Sequence, residues 1–68
     1  MVLVSQDGKK FAQAIMCVEI IEKKGKWELV VNDKAFGTFD GEVEVRLVLK
    51  RIMNELSCET SIQYQVGS

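Results

Sequence analysis

Histidine is missing from the sequence, and with it the commonest general base and the commonest side-chain metal ligand. Neither a serine–histidine nor a cysteine–histidine pair can exist, so most hydrolase mechanisms are excluded. A glycine-rich phosphate loop is also missing, because the five glycines are scattered singly through turn-like segments. We therefore expect a protein that is not an enzyme and that uses neither a metal nor another cofactor.

The sequence has little net charge, since nine basic side chains face ten acidic ones and leave a balance of −1. Such a balance provides no general attraction to nucleic acid or to anionic lipid. No apolar run approaches the roughly 18 residues that cross a bilayer, and the first residues lack the pattern of a secretory signal. We expect a cytoplasmic protein whose partners include neither nucleic acid nor a membrane.

Cysteine is scarce as well, and the two cysteines are far apart without the spacing of a metal site. We expect both to be reduced, buried and unreactive. Cys17 lies in an apolar segment, which favours a raised thiol pKa. Cys58 lies near the C-terminal end of a predicted helix, where the helix dipole disfavours a thiolate.

The length allows a single domain over residues 1–68, because a chain this short is near the lower limit for a hydrophobic core. Its composition, 47% apolar and 28% charged, is that of a folded protein. A compact fold of this size has a radius of gyration of about 11 Å, which leaves little room for a deep cleft. Function is therefore expected at the surface.

Period-two alternation of apolar residues predicts an antiparallel β-meander of about four strands. The predicted strands cover residues 2–5, 11–22, 27–32 and 35–39. A further strand over residues 61–66 either completes the sheet or pairs with another chain. The strand over residues 11–22 is apolar on both of its faces, so only one of them can pack under a helix.

Turn-forming residues separate the predicted strands. Asp7-Gly8, Gly25 and Asn32-Asp33 are residue types that accept the positive φ angles of tight turns. In the last strand of the meander, alternation places Phe36 and Phe39 on opposite faces. We thus expect a meander whose hairpins are short.

One amphipathic helix is predicted from Glu42 to about Ser57. Asp40 stands before it as the expected N-cap, and Glu42 pairs with Arg46 one turn later. The apolar stripe that should face the core contains Val45, Val48, Leu49, Ile52, Met53 and Leu56. The fold class is therefore α+β, with a meander, one helix and a C-terminal strand.

The chain carries more apolar surface than one helix can cover. Val43 and Leu47 lie opposite the core stripe of the predicted helix, in addition to the second apolar face of the strand over residues 11–22. Sheet curvature and ordinary surface exposure are one explanation. The other is an interface with a second copy or with a partner, for which the candidate residues are Val43, Leu47, Ile15, Ile21 and Tyr64.

Two segments of the sequence carry a resemblance. Val4-Ser5-Gln6-Asp7-Gly8-Lys9 opens the chain, and Gly37-Thr38-Phe39 leads into a helix with Glu42, Val45, Val48, Leu49 and Ile52. Together they resemble short uncharacterised proteins of Gram-positive bacteria and their phages, which share an I-x-S-Q-D-G-like start and an E-x-x-A-x-x-V-L-x-x-I helix. The resemblance implies a fold and no site residues.

By analogy, small phage proteins often bind and block a host component. Together with the surplus apolar surface, this leads us to expect a self-associating, non-enzymatic binding protein. It would occupy the surface of a partner macromolecule, for example as a phage-encoded inhibitor of a host defence system. The alternative is an oligomer that binds a nucleotide-like small molecule at a subunit interface. Basic and aromatic residues adjoin at one turn, and the candidate ligands there are Lys24, Lys26, Trp27 and Arg46.

Overall fold

A computed structural model describes residues 1–58 and 60–67, and it confirms the α+β class. Within these residues the chain forms six strands and one helix. In chain order the elements are β1 (Val2–Val4), β2 (Phe11–Ala12), β3 (Val18–Lys23), β4 (Lys26–Val31), β5 (Lys34–Phe39), α1 (Glu42–Ser57) and β6 (Gln63–Gln65).

The strands are divided between two three-stranded sheets. The first sheet has the order β2-β1-β6, in which β1 is antiparallel to β2 and parallel to β6. The second sheet is the antiparallel meander β3-β4-β5. The C-terminal strand thus pairs within its own chain, with Leu3 opposite Tyr64.

The turns of the second sheet lie where the sequence predicts them. Lys24 and Gly25 join β3 to β4 with φ angles of 51° and 79°. Asn32 and Asp33 join β4 to β5 with φ angles of 51° and 67°. Two consecutive residues with positive φ give the backbone twist that a two-residue hairpin needs.

The single strand predicted over residues 11–22 is wrong, because a loop separates β2 from β3. Asn32 holds that loop: its side-chain oxygen accepts hydrogen bonds from the Met16 N–H at 2.8 Å and the Cys17 N–H at 3.2 Å. Its side-chain nitrogen donates to the Ala14 carbonyl oxygen at 2.7 Å. These backbone groups are therefore paired with a side chain instead of a neighbouring strand.

Both cysteines are exposed, so the expectation that they are buried is also wrong. The Cys17 thiol donates to a Glu19 carboxylate oxygen at 3.6 Å, and this contact, followed by desolvation, raises the pKa of Cys17. The hydroxyl and backbone of Thr60 lower the pKa of Cys58. Local hydrogen bonding at Cys58 thus favours the thiolate, contrary to the expectation from the helix dipole.

A β-bulge in β5 changes the expected arrangement of its phenylalanines. Leu29 pairs with Gly37 and Val30 pairs with Ala35, which leaves Phe36 as the additional residue. Phe36 and Phe39 are consequently both buried, although strict alternation would place them on opposite faces. The bulge thus brings a second aromatic ring into the core.

The helix has the predicted bounds, but its N-terminus differs from the prediction. Gly41 is the N-cap residue and makes no side-chain capping bond. The Asp40 carboxylate instead forms an ion pair with the Lys26 ammonium group, so its predicted capping role is wrong. Glu42 does pair with Arg46, at 3.0 Å.

One hydrophobic core joins both sheets and the helix. It contains Leu3 and Val66 from the first sheet region, Leu29, Val31, Phe36 and Phe39 from the second sheet, and Val45, Val48 and Ile52 from α1. The helix packs against β4 and β5. Its apolar core stripe is shorter than predicted, because Met53 and Leu56 remain exposed.

Candidate protein-binding surface

The side of α1 that faces away from the sheets carries two large apolar side chains. Val43 is 71% exposed and Leu47 is 53% exposed. Helix geometry puts residues 3, 4 and 7 positions apart on one side, so Lys50 and Asn54 lie on the same strip. We call Val43, Leu47, Lys50 and Asn54 the outer helix face, and all four are exposed.

Charged residues border the outer helix face. The Arg46 guanidinium donates through Nε at 3.1 Å and Nη2 at 3.0 Å to one carboxylate oxygen of Glu42. This exposed i,i+4 pair contributes only a few tenths of a kcal/mol to stability. It directs Arg46 back along the helix, so the apolar pair Val43 and Leu47 stays open to solvent.

The other candidate interface residues lie on different segments. Ile21 is in β3 and is 38% exposed. Ile15, in the loop after β2, and Tyr64, in β6, are partly buried and pack against the core. Among the five candidates, only Val43 and Leu47 share an element of secondary structure.

Besides Met53 and Leu56 of the helix, three apolar side chains that the sequence analysis did not select as interface residues are exposed: Phe11, Met16 and Ile62. The sequence analysis assigned Phe11 and Met16 to the predicted strand over residues 11–22, and it assigned Ile62 to the predicted strand over residues 61–66. Phe11 lies in the short strand β2, Met16 in the loop after it, and Ile62 before the start of β6. A polar residue that interrupts the alternation, such as Gln13, is the signal that marks such a break.

The residues proposed for a nucleotide-like ligand are largely engaged within the chain. Lys26 pairs with Asp40, and this contact raises the pKa of Lys26 and lowers that of Asp40. Arg46 pairs with Glu42. Trp27 is partly buried and packs against the core, while Lys24 occupies the β3–β4 turn. The four side chains therefore do not present an anion-binding cluster.

A cluster of polar residues, Ser5, Gln6, Asp7 and Lys10, connects the two sheets. The sequence analysis treated this segment only as a turn. The buried Ser5 hydroxyl donates to an Asp7 carboxylate oxygen at 2.5 Å and accepts from the Lys10 N–H at 2.9 Å. The Ser5 hydroxyl and the Lys9 N–H lower the pKa of Asp7. The neighbouring Gln6 donates its backbone N–H to the Phe36 carbonyl oxygen at 2.7 Å.

A shallow cavity of about 210 Å³ lies between this cluster and β5. It is lined by Gln6, Asp7, Lys10 and residues 35–38. Ligand pockets usually measure about 300–1,000 Å³. The Lys10 ammonium group donates to the Ala35 carbonyl oxygen at 2.8 Å across the same region, so the polar groups there serve the fold.

Comparison with models of protein families, with curated proteins and with solved structures gives no match. In the described part of the chain, no helix combines the length and apolar character needed to cross a bilayer. Among residues 1–58 and 60–67, no group of three or more cysteine, aspartate or glutamate side chains is arranged to hold a metal ion. Val43 and Leu47 remain the two exposed apolar candidates that lie together on one element of secondary structure.

Proposed function

We propose that this protein is a small, non-enzymatic binding protein that places its outer helix face against a partner protein. The observation that supports this proposal is the exposure of Val43 and Leu47 on the one helix of the described chain. The core does not need these side chains, because Val45, Val48 and Ile52 already fill the opposite side of α1.

The energetics define what the partner must provide. Burying Val43 and Leu47 contributes about 1.5–3 kcal/mol each. Association itself costs an estimated 4–15 kcal/mol, so two apolar contacts alone give a weak complex. The partner must therefore also contact the polar residues of the same strip, among them Lys50 and Asn54.

The chemistry of the surface indicates an apolar groove with an acidic rim on the partner. Lys50 and Arg51 follow Leu47 by about one turn and bring positive charge to this part of the helix. Complementary charges at a rim mainly speed association and fix the register of binding. An amphipathic helix lying in a hydrophobic groove is a common mode of protein recognition.

The resemblance to short proteins of Gram-positive bacteria and their phages makes a host protein the natural partner. Occupation of a functional surface on that protein would inhibit it, which is the specific form of the proposal. A nucleotide-like ligand is not favoured, because Lys26 and Arg46 already contact carboxylates of their own chain. A saturable calorimetric isotherm with a nucleotide would reverse this preference.

The experiment compares two double variants that each replace two exposed apolar residues with glutamate. Val43→Glu with Leu47→Glu alters the outer helix face, and Met16→Glu with Ile62→Glu changes the charge equally elsewhere. Met16 and Ile62 are 84% and 81% exposed, so the control is tolerated by the fold. Circular dichroism and urea unfolding check that both variants remain folded.

Proteins captured from a bacterial host by the wild type, but not by the helix variant, are purified and titrated by calorimetry. We expect the helix variant to weaken binding to the purified partner at least about 100-fold, which corresponds to about 2.7 kcal/mol. The control variant should bind like the wild type. Equal binding by the wild type and the helix variant would refute the proposal.

A further inference from the structure

The second sheet ends in an open edge at β3. In the described chain β3 pairs only with β4, and the sheet order β3-β4-β5 leaves its other side without a neighbouring strand. The strand is six residues long, from Val18 to Lys23. An edge of this length offers backbone N–H and C=O groups to another strand.

The β3–β4 turn determines which backbone groups point outward. Lys23 pairs with Lys26 across the two-residue turn, and a turn of this type closes on a hydrogen-bonded pair. Hydrogen-bonded and non-hydrogen-bonded pairs alternate along an antiparallel ladder. The backbone groups of Val18, Ile20 and Glu22 therefore point away from β4, towards solvent.

We propose that β3 pairs in antiparallel fashion with β3 of a second copy of this chain, around a two-fold axis at Ile21. In this register the outward backbone N–H and C=O groups of Ile20 pair with those of the partner's Glu22. By symmetry, the backbone groups of Glu22 pair with those of the partner's Ile20. The two Ile21 side chains then contact each other on the sheet face that is exposed to solvent in the single chain. A continuous six-stranded sheet results from the two meanders.

Charge selects this register over its neighbours. Glu19 lies opposite the partner's Lys23, so the dimer contains the same ion pair twice, once on each side of Ile21. Opposite charges facing each other across a strand pair are favourable, and like charges are unfavourable.

The two nearest registers with matching hydrogen bonds are poorer. Moving the axis to Glu22 puts the two Glu22 carboxylates against each other. Moving it to Ile20 separates Glu19 from the partner's Lys23 and places that lysine opposite Cys17. Charges on edge strands usually oppose sheet extension, and of these three registers only the one centred on Ile21 aligns unlike charges.

This interface is independent of the outer helix face. Ile21 projects from the sheet surface, whereas Val43 and Leu47 belong to α1, which packs on β4 and β5. Self-association through β3 would leave the helix free to bind a partner protein. One complex would then carry two copies of the outer helix face, which increases the apparent affinity for a dimeric partner.

A charge exchange tests the interface by sedimentation over a concentration series. We expect the wild type to dimerise, and we expect Glu19→Lys or Lys23→Glu alone to weaken the dimer about tenfold by placing like charges opposite each other. The variant with both substitutions restores the unlike pairs in exchanged positions, so its dimer should regain most of the lost affinity. Val43→Glu with Leu47→Glu should leave the dimer unchanged.

Amide hydrogen exchange provides a second measurement. Raising the protein concentration should slow exchange at the Ile20 and Glu22 amides and leave the Ile21 amide, which faces β4, unaffected. A monomer at up to about 1 mM would overturn the proposal. So would a dimer that the helix variant dissociates, or one on which both single charge variants have no effect.

Discussion

Gln6 and Thr38 are joined by a hydrogen bond that links the two sheets. The side-chain oxygen of Gln6 accepts from the Thr38 backbone N–H at 2.9 Å. Beside it, the backbone N–H of Gln6 donates to the Phe36 carbonyl oxygen at 2.7 Å. One residue therefore occupies two positions along the outer edge of β5, where another strand would otherwise pair.

Gln6→Ala should destabilise the fold because Thr38 loses its acceptor. The expected loss is about 0.5–1.5 kcal/mol in the free energy of unfolding, the usual net contribution of one hydrogen bond. Urea denaturation measures it, with Gln13→Ala as the control, since Gln13 is an exposed loop residue. Equal stability of the two variants would contradict this role for Gln6.

Local sequence signals account for the parts of the fold that could be predicted. The two turns with positive φ and the helix from Glu42 to Ser57 depend on neighbouring residues, and all three are confirmed. Helical periodicity also placed Val43 and Leu47 together on the outer helix face. These features needed no knowledge of the tertiary structure.

Long-range contacts account for what could not be predicted. The loop after β2 is held by Asn32, which lies fifteen or more residues away from the backbone groups that it binds. The division into two sheets depends on the parallel pairing of β1 with β6, from opposite ends of the chain. The open edge of β3 depends on the loop after β2 and on the division of the strands into two sheets, so the sequence alone does not reveal it.

Gly37→Ala should destabilise the fold because the added methyl group would lie closer to three neighbouring side chains than carbon atoms ordinarily approach. A Cβ atom at this position would lie 3.1 Å from both Phe39 Cε2 and Val66 Cγ1, and 3.3 Å from Gln6 Oε1. Overpacking of this kind costs about 1–3 kcal/mol. Thermal or urea unfolding should show the loss.

The control for Gly37 is Gly41→Ser at the helix N-cap. The backbone there is extended, and a Cβ atom would find its nearest neighbour, Glu44 Oε1, at 3.8 Å. Serine adds a capping acceptor that glycine lacks, so stability should stay equal or rise by a few tenths of a kcal/mol. A wild-type stability for Gly37→Ala would show that the core yields more readily than these distances indicate.

Asn32→Gly should release the loop after β2 without breaking the β4–β5 turn. Glycine adopts the positive φ of this position easily, whereas it cannot supply the amide that binds the loop. Amide hydrogen exchange at Met16 and Cys17 should accelerate, and exchange in β4 should not change. Asn32→Ala loses the loop contacts and also strains the turn, so its overall stability should be lower than that of Asn32→Gly.

The pKa of Asp7 should depend on Ser5. The Ser5 hydroxyl, followed by the Lys9 N–H, holds the pKa of Asp7 below its ordinary value of 3.8. Ser5→Ala should therefore raise the Asp7 pKa towards 3.8 in an NMR titration. Asp40, whose pKa is lowered by Lys26 instead, should titrate as in the wild type and serves as the internal control.

The same interaction predicts a pH dependence of stability. A carboxylate whose folded pKa lies below its unfolded pKa stabilises the fold above the unfolded pKa, and this contribution disappears as the pH falls through the folded pKa. The stability advantage of the wild type over Asp7→Asn should thus shrink as the pH falls below about 4. An unchanged difference down to about pH 2 would contradict it.

The two cysteines should differ in reactivity although both are exposed. The thiolate is the reactive form, and hydrogen bonding by Thr60 lowers the pKa of Cys58, whereas the Glu19 carboxylate raises the pKa of Cys17. At about pH 8 the folded Cys17→Ser variant, which retains Cys58, should react faster with iodoacetamide than Cys58→Ser. Denaturant should bring the two rates together, because it removes both contacts.

Second variants identify the cause of the difference between the thiols. Thr60→Val should slow alkylation of Cys58, since it removes the hydroxyl 3.2 Å from the sulfur. Glu19→Gln should accelerate alkylation of Cys17 by removing the negative charge next to it. If Cys17 reacted faster than Cys58 in the folded protein, accessibility would control the rates and the hydrogen bonds of Thr60 and Glu19 would not.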